Sequence, residues 1–285
     1  MKNNNIDSIN AGTEALKNFN SVVNSFLAPQ GLDAYILEGH KKIIERIVNT
    51  ESLSEETIAF LCGYKKLVKE YKNCKDAAER AKKYLKENSK SHDIDEDWLD
   101  FYFDKVRLVS DDKVRDIWSR ILAEEANNPG YIKPSLLHTL SIMSKDQAAF
   151  FSNIARFCMR EYKGDKVHPL IFLSTNIKSY ARSNIDHKKL RELERLGLVD
   201  CEFMEEYVFI KKKEFVSGNH TITVFGDPNN DNKIKAGNVI FTEDGNTLYS
   251  VVSDNLIKYR KDIFEFILEK FKARNCRVLV NGKDV

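Results

Sequence analysis

The chain has 285 residues, of which 42% are hydrophobic, enough for packed cores in two domains. Its 45 basic residues are balanced by 43 acidic ones, so the net charge of +2 predicts no overall attraction to nucleic acid or to an anionic membrane. Any site for a polyanion must therefore be a local cluster. The first residues are polar and no apolar run is long enough to cross a bilayer, so the sequence predicts a cytoplasmic protein without a membrane partner. The five cysteines have no C-x-x-C spacing and are predicted to be reduced thiols.

The N-terminal region is predicted to be helical. Residues 6–27 have helical apolar spacing, and a second helix is predicted after Asp33. A third helix, from Ser54 to about Glu87, would be about 30 residues and roughly 45 Å long. Its apolar side thins to alanines after Tyr71, where another helix can approach closely. Two arrangements are open: a homodimer through this long helix, or packing of the helix on the first two helices of the same chain.

A polar break at residues 87–92 precedes three or four short helices within residues 95–160. Their starts are indicated by N-cap residues, whose side chains accept otherwise unpaired backbone N–H groups. Asp95 is predicted to cap the first of these helices and Ser110 the second, whose apolar stripe contains Trp118. The spacing predicts that this tryptophan is buried.

Further start and stop signals follow in the same region. Pro129 and Gly130 end the tryptophan-containing helix, because proline cannot continue the hydrogen-bond ladder and glycine readily adopts a left-handed conformation. A capping box formed by Ser144 and Gln147 begins the last helix, whose apolar side is predicted to extend to Cys158.

A family resemblance is carried by short motifs of this central region. These are Asp97-Trp98, Phe101-Tyr102-Phe103, Ser110-Asp111-Asp112, Ile117-Trp118-Ser119-Arg120-Ile121-Leu122-Ala123, Pro129-Gly130 and Ala149-Phe150-Phe151, with Gly237-Asn238-Val239-Ile240-Phe241-Thr242 further along. With them the chain resembles the DUF2806 family, a bacterial domain family of unknown function. Glu124 departs from the family pattern, which has glycine there. The resemblance implies a bacterial protein without an assigned activity, links it to phage defence only by analogy, and supplies no catalytic residue.

The C-terminal part is predicted to mix helices and strands. Residues 169–183 are compatible with a helix or with a strand at their start. Residues 186–196 form a predicted helix that Gly197 ends, and two strands at 198–201 and 207–210 follow, joined by an acidic turn. This order is typical of the end of a winged helix, in which 186–196 would be the recognition helix.

The overall prediction is an α+β protein that is predominantly α-helical. It comprises an N-terminal helical region at 1–92, a helical domain at 93–163 and a winged-helix-like α+β domain at 164–285. Strands near 221–225, 239–242 and 277–280 and two further helices complete the last domain.

A local excess of basic side chains surrounds the predicted recognition helix. The candidate nucleic-acid-binding residues are Lys178, Arg182, Lys188, Lys189, Arg191 and Arg195, with Lys211, Lys212 and Lys213 on the next strand. Such a cluster can neutralise phosphates. The alternative is an ordinary solvated face, because Arg191 with Glu194 and Lys188 with Glu192 have the spacing of surface ion pairs.

No motif predicts an enzyme. The segment Asp227 to Asn232 resembles part of a calcium loop but lacks the glycine and the bidentate glutamate that the ion needs, so a turn is the preferred interpretation. The six histidines have no metal-ligand spacing, and no phosphate-binding glycine motif is present. The sequence therefore predicts a binding or regulatory module without metal or cofactor, with a nucleic acid or a protein as partner. The alternative is a hydrolase or nuclease whose site is assembled from dispersed residues.

Overall fold

The computed structural model describes residues 3–27, 45, 54–164, 166–172, 185, 187–202, 204–256 and 261–285. The protein is α+β and mostly helical, as predicted. The chain divides into two compact units, Met1–Ser141 and Ile142–Val285. The division into three regions, with boundaries after residues 92 and 163, stays a prediction.

The first unit is built from helices. Its described α-helices are α1 (Asn3–Leu27), α2 (Glu55–Ala81), α3 (Glu96–Val106), α4 (Asp112–Asn127) and α5 (Pro134–Ile142), and short 3-10 helices span Lys82–Tyr84 and Ser91–Asp93. These helices agree with the predicted ones, although α2 ends at Ala81 rather than near Glu87. The helix predicted after Asp33 lies outside the described residues.

Polar side chains cap the helices, mostly where the sequence predicts them. Asp95 caps α3, Ser54 caps α2, and Ser144 forms the predicted capping box at the start of the next helix. The prediction for α4 is wrong by one residue. Asp111, not Ser110, caps this helix, and one of its carboxylate oxygens accepts two backbone N–H groups at 3.0 and 3.2 Å. A carboxylate is favoured there because the N-terminal end of a helix carries partial positive charge.

The aromatic residues of α3 and α4 form the centre of the first unit. The side chain of Trp118 is only 1% exposed, which confirms the predicted burial. Its ring meets the ring of Tyr102 edge to face, with 5.6 Å between centroids, and Tyr102 is in turn stacked on Trp98. The apolar stripes read from the sequence are therefore the faces that pack together.

The alanine-rich second half of α2 packs within the chain. Cys74, Ala77, Ala78 and Ala81 are buried, and the helix to which they belong lies against α4. Small side chains allow this close approach between helices. The expectation that this alanine-rich face is available to a second copy of the chain is therefore wrong. Helix α4 of the same chain already covers the face.

The second unit combines helices with antiparallel strands. Its described helices are α6 (Lys145–Ala155), α7 (His187–Arg195), α8 (Glu243–Leu256) and α9 (Lys261–Lys272). Its described strands are β1 (Cys158–Glu161), β2 (Val167–Pro169), β3 (Val199–Cys201), β4 (Val208–Ile210), β5 (Lys212–Ser217), β6 (His220–Phe225), β7 (Lys233–Lys235), β8 (Val239–Phe241), β9 (Arg277–Val280) and β10 (Lys283–Asp284). Cys158 was predicted to be helical, but α6 ends at Ala155 and Cys158 begins β1, where it pairs with Pro169.

Of the seven strand pairings described in this unit, three join neighbouring strands and four join strands that are not consecutive in sequence. Six strands form an antiparallel sheet in the order β10-β9-β6-β5-β1-β2, and Phe271 of α9 stacks on Phe215 of this sheet. The predicted strands after Gly197 are both present as β3 and β4, but they do not pair with each other. In the described part of the chain, β3 pairs with β8 and β4 pairs with β7.

Two further properties bear on the cellular setting. Among the helices that the structure describes, none combines the length and the apolar composition required to cross a bilayer. All five cysteines are free thiols, and three of them, Cys74, Cys158 and Cys276, are buried.

Candidate nucleic-acid interface

Helix α7, the predicted recognition helix, is anchored by its apolar side. Leu190 and Leu193 are fully buried, whereas Leu196 is only half-buried just past the end of the helix. Gly197 follows with a φ of +71°, a conformation that glycine adopts without strain. The glycine turns the chain from α7 into β3.

Three basic side chains form an exposed row on α7. Lys188, Arg191 and Arg195 are all exposed, and their i, i+3, i+7 spacing places them along one side of the helix. Arg191 forms an ion pair with Glu194, with 2.6 Å between nitrogen and oxygen. Within the described residues, Lys188 and Arg195 form neither a hydrogen bond nor an ion pair. Two unpaired cations are therefore available on this row.

The other candidate residues are not part of this row. The Lys189 side chain is half-buried, and its ammonium group lies 5.7 Å from the ring centroid of Phe150 on α6. Lys189, a candidate nucleic-acid-binding residue from the sequence, is therefore directed at α6 rather than along the exposed row. Lys178 and Arg182 lie outside the described residues.

Glu194, an acidic residue of the same helix, is directed at the protein backbone. Its Oε1 atom accepts the backbone N–H of Cys201 on β3 at 3.1 Å, and its Oε2 atom accepts from Arg191. The carboxylate therefore ties α7 to the next strand. It also neutralises part of the charge of Arg191.

Two of the lysines that follow β4, Lys212 and Lys213, form ion pairs with glutamates of the sheet. Lys212 forms an ion pair with Glu214 at 2.9 Å. Lys213 forms an ion pair with Glu161, and its ammonium group lies 4.6 Å from the ring centroid of Phe209. These two lysines therefore contribute less to a phosphate-binding surface than their sequence position indicates.

The calcium-like segment is a turn. Asp227 is buried, and its Oδ1 atom accepts the backbone N–H of Asn229 at 2.9 Å. Asp231 and Asn232 have positive φ angles of 51° and 54°, as is common for these residue types in turns. Among the described residues, no group of three or more His, Cys, Asp and Glu side chains is placed to hold a metal ion.

The most distinctive motifs of the first unit hold a loop in place. The Trp98 indole N–H donates to the carbonyl of Ile132 at 2.8 Å. The two carboxylate oxygens of Glu125 accept the backbone N–H groups of Gly130 and Ile132 at 2.6 and 2.8 Å. Burial raises the pKa of the Glu125 carboxyl, and these two hydrogen bonds partly oppose the rise. Side chains of two helices, Trp98 of α3 and Glu125 of α4, therefore hold the loop that contains the Pro129-Gly130 turn.

Sequence reasoning missed the roles of Glu125 and Arg120. Both are charged residues among the apolar positions of α4, which is the signal that could have identified them as buried and paired. Arg120 forms an ion pair with Asp116 at 3.0 Å, and its guanidinium group lies 4.0 Å from the ring centroid of Tyr84. Arg120 thus connects the 3-10 helix Lys82–Tyr84, which follows α2, to α4.

Comparison with known proteins agrees with the signature found in the sequence. Neither the curated proteins nor the solved structures include a match to this chain. The family described as "Protein of unknown function (DUF2806)" matches residues 64–262, which is more than half of the chain and covers α3, α4 and α7. The protein therefore belongs to the DUF2806 family.

Proposed function

We propose that this protein is a non-enzymatic binding module whose second unit contacts the phosphate backbone of a nucleic acid through helix α7. The observation that carries the proposal is the exposed row of Lys188, Arg191 and Arg195, in which the first and last side chains have no partner among the described residues. Unpaired lysine and arginine side chains on one helix face can neutralise successive phosphates and release bound counterions. We include the predicted cytoplasmic location in the proposal, since free thiols suit a reducing compartment.

A winged-helix-like arrangement, in modified form, is part of the proposal. In a winged helix, a pair of strands follows the recognition helix. Here α7 packs beside α6 and leads directly into β3, which pairs antiparallel with β8. The strands β4 to β7 lie between β3 and β8 in sequence, where a winged helix has a short wing. We infer that the segment carrying β4 to β7 takes the position of the wing, with β5 and β6 joining the six-stranded sheet.

The position of Glu194 supports the proposal. An acidic residue beside phosphates would repel them, and this helix contains two glutamates. Glu194 accepts hydrogen bonds from Cys201 and Arg191, so its charge is compensated within the protein. Glu192 is half-buried. The exposed row is consequently more basic than the composition of the helix indicates.

We prefer binding to the alternative of a hydrolase or nuclease. A dispersed catalytic site needs carboxylates that are free to bind a metal ion or to move a proton. In the first unit, Glu125 uses both of its oxygens to hold backbone N–H groups, and Asp95 caps α3. These carboxylates have structural partners, which supports a structural role for the signature.

The test of the proposal is a salt-dependent binding measurement. Fluorescence anisotropy with labelled duplex DNA and single-stranded RNA is measured at low and physiological salt. The double variant Lys188→Glu, Arg195→Glu is expected to weaken binding about tenfold or more. On duplex DNA it should also reduce the magnitude of the slope of log K against log salt by about 1.8, because each lost phosphate contact reduces that slope by about 0.9. Two exposed lysines elsewhere in the second unit provide the matched control, Lys272→Glu with Lys283→Glu, which changes the net charge equally.

A third variant examines Arg191. Glu194→Gln keeps the oxygen that accepts the Cys201 N–H but removes the charge that holds Arg191. We expect this variant to bind nucleic acid more tightly than the natural protein. Absence of binding to either nucleic acid at tens of micromolar protein, or an equal loss in the matched control, would contradict the proposal and leave a protein partner as the expected one.

The homodimer through the long helix remains a proposal and moves to the first half of α2. Phe60 and Leu67 are 50% and 54% exposed, and with Tyr64 they follow an i, i+4, i+7 spacing along one side of the helix. Exposed apolar side chains in a row are typical of a surface that associates. The second half of the helix is excluded from this interface because α4 covers it.

A further inference from the structure

The six-stranded sheet of the second unit has one open face. Side chains alternate between the two faces of a strand, and α9 packs on the face that contains Phe215, whose ring is stacked on Phe271. On the other face, over β5, β6, β9 and the end of β1, the side chains are exposed or half-buried. We call this surface the open face. Its aromatic and charged members include Arg160, Tyr162, Lys212, Glu214, Phe225 and Arg277.

The strand register places one aromatic ring of the open face between two cations. Phe225 of β6 is paired directly with Lys212 of β5 and with Arg277 of β9. The charged groups of these two residues lie 6.0 and 5.9 Å from the centroid of the ring. Since neighbouring strands are about 4.8 Å apart, these are the distances expected of groups that flank the ring. The half-buried Phe225 therefore has a cation on each side.

A second aromatic ring, that of Tyr162, lies beside the end of β1. This residue is 42% exposed. Its backbone N–H donates to the carbonyl of Glu214 at 3.0 Å, which continues the pairing of β1 with β5 and places the ring on the same face as Arg160. The ammonium group of Lys163 lies 5.3 Å from the centroid of the ring. The pKa of the Glu214 carboxyl is lowered chiefly by the hydrogen bond from Lys212 and to a smaller extent by the charge of Lys163, so Lys163 also lies near this face.

Basic groups outnumber acidic ones on the open face. Its two carboxylates are already paired, Glu214 with Lys212 at 2.9 Å and Asp284 with Arg277 at 2.8 Å. The side chains of Arg160 and Lys163 form neither a hydrogen bond nor an ion pair within the part of the chain that the structure describes. Four cations against two carboxylates leave a charge of +2, and the two unpaired cations lie on either side of Tyr162 in sequence. The open face thus suits a polyanion.

We propose that the open face binds a single-stranded nucleic acid, with bases stacked on Tyr162 and Phe225 and phosphates beside Arg160 and Lys163. Every base has a flat π-surface, so aromatic rings on a basic surface bind single strands with little regard to sequence. In a duplex the bases are already stacked on one another, so only a single strand offers base faces to these rings. The negative faces of the rings do not attract the carboxylates of an acidic peptide, which favours a nucleic acid as the occupant.

The test compares a single strand with the same strand without its bases. Fluorescence anisotropy at low salt measures the binding of a labelled oligothymidine of about ten nucleotides and of an abasic oligomer of equal length. The abasic oligomer keeps the phosphates but lacks the stacking surfaces. We expect the natural protein to bind oligothymidine about tenfold or more tightly than the abasic oligomer, because stacking of even one base has an effect of that order. This comparison needs no variant and is therefore independent of any effect on folding.

Three variants separate the rings from the charges. Tyr162→Leu keeps an apolar side chain and removes one ring, so it should weaken oligothymidine about tenfold and leave the abasic oligomer unchanged. Arg160→Glu should weaken both oligomers, because it acts on the phosphates. Lys272 is exposed on α9, the helix that packs on the other face of the sheet. Lys272→Glu changes the net charge equally and should bind as the natural protein does.

The contrary outcomes are equally specific. Equal affinity of the natural protein for the two oligomers, equal losses of both in Tyr162→Leu, or a loss in Lys272→Glu as large as in Arg160→Glu would each overturn the proposal. So would a ten-residue glutamate peptide that binds as tightly as oligothymidine, since it would point to an acidic polypeptide as the partner.

The open face and helix α7 can be tested independently. The α7 variant Lys188→Glu, Arg195→Glu should keep the preference for oligothymidine over the abasic oligomer, whatever its effect on duplex DNA. Loss of this preference in the α7 variant, together with unchanged binding in Tyr162→Leu, would overturn the proposal for the open face and leave that for α7 standing. The reverse result would leave the open face as the nucleic-acid site.

Discussion

The hydroxyl group of Tyr102 donates a hydrogen bond to the backbone carbonyl of Trp118, 2.9 Å away, and both side chains are fully buried. This pair joins α3 to α4. Replacing Trp118 by alanine removes the ring that packs on Tyr102 and leaves a cavity, so we expect the free energy of unfolding to fall by about 3–5 kcal/mol. Urea unfolding followed by circular dichroism measures the change, with Trp118→Phe as the milder control. An unchanged thermal midpoint for Trp118→Ala would contradict the prediction.

Glu125 should prove important for stability and for its pH dependence. The variant Glu125→Gln keeps one acceptor oxygen, so one of the two backbone N–H groups that it now binds would face an amide N–H instead. We expect a cost of about 1–3 kcal/mol at neutral pH. Burial raises the pKa of this carboxyl above 4.5, so the folded protein holds the proton more tightly than the unfolded chain.

The sign of the Glu125 effect follows from this difference. Between 4.5 and the raised pKa, the folded state binds more protons, so the stability contributed by Glu125 decreases as the pH rises through this window. Unfolding free energies measured at a series of pH values should show this negative component in the natural protein and not in Glu125→Gln. Identical pH profiles for the two proteins would rule out a raised pKa at this position.

The features that the sequence predicts correctly are local ones. Asp95 and Ser144 are caps because a side chain near in sequence can reach the first helical N–H groups, and Trp118 is buried because helical periodicity defines its face. The pairing of β3 with β8 joins residues about forty positions apart, and no short-range pattern specifies it. Cys158 illustrates the same limit, because its strand conformation depends on a partner strand rather than on the preceding helix.

The features of the candidate site likewise divide into local ones, which the sequence predicts, and non-local ones, which it does not. The exposed row on α7 follows from the spacing of Lys188, Arg191 and Arg195, and the structure places all three at the surface. The sequence alone does not show that Glu194 binds the Cys201 N–H, because β3 reaches it only after the turn at Gly197. Cavities lined by residues from several elements are likewise invisible until the elements pack.

The sheet of the second unit should lose stability in acid. Burial alone would raise the pKa of the Glu161 carboxyl, but hydrogen bonds from Lys213 and His168 lower it below 4.5. Burial lowers the pKa of His168 below 6.5, partly opposed by Glu161. In both cases the unfolded chain binds more protons just below its own pKa. Stability should therefore fall with pH in two windows, first below 6.5 and then below 4.5.

Two variants test this prediction. Glu161→Gln should flatten the acid limb below 4.5, because a glutamine does not titrate, and it should lower stability at neutral pH through loss of the ion pair with Lys213. Glu205 is exposed and lies outside this cluster, so Glu205→Gln should keep the full acid limb. Chemical unfolding at a series of pH values gives the slopes. An acid limb in Glu161→Gln that equals that of the control would show that Glu161 is not its source.

The first half of α2 is expected to form a homodimer at high protein concentration. Phe60 and Leu67, 50% and 54% exposed, lie on one side of the helix with Tyr64, and burying such side chains against a second copy removes apolar surface from water. Light scattering at high micromolar protein should give a mass above the 32.9 kDa of one chain. The double variant Phe60→Lys, Leu67→Lys should return the mass to that of the monomer, because both charges would be buried without partners.

Lys65 is exposed on a different side of the helix, so Lys65→Glu should associate as the natural protein does. A natural protein that stays monomeric at these concentrations would remove the dimer and leave this row of side chains without an assigned partner.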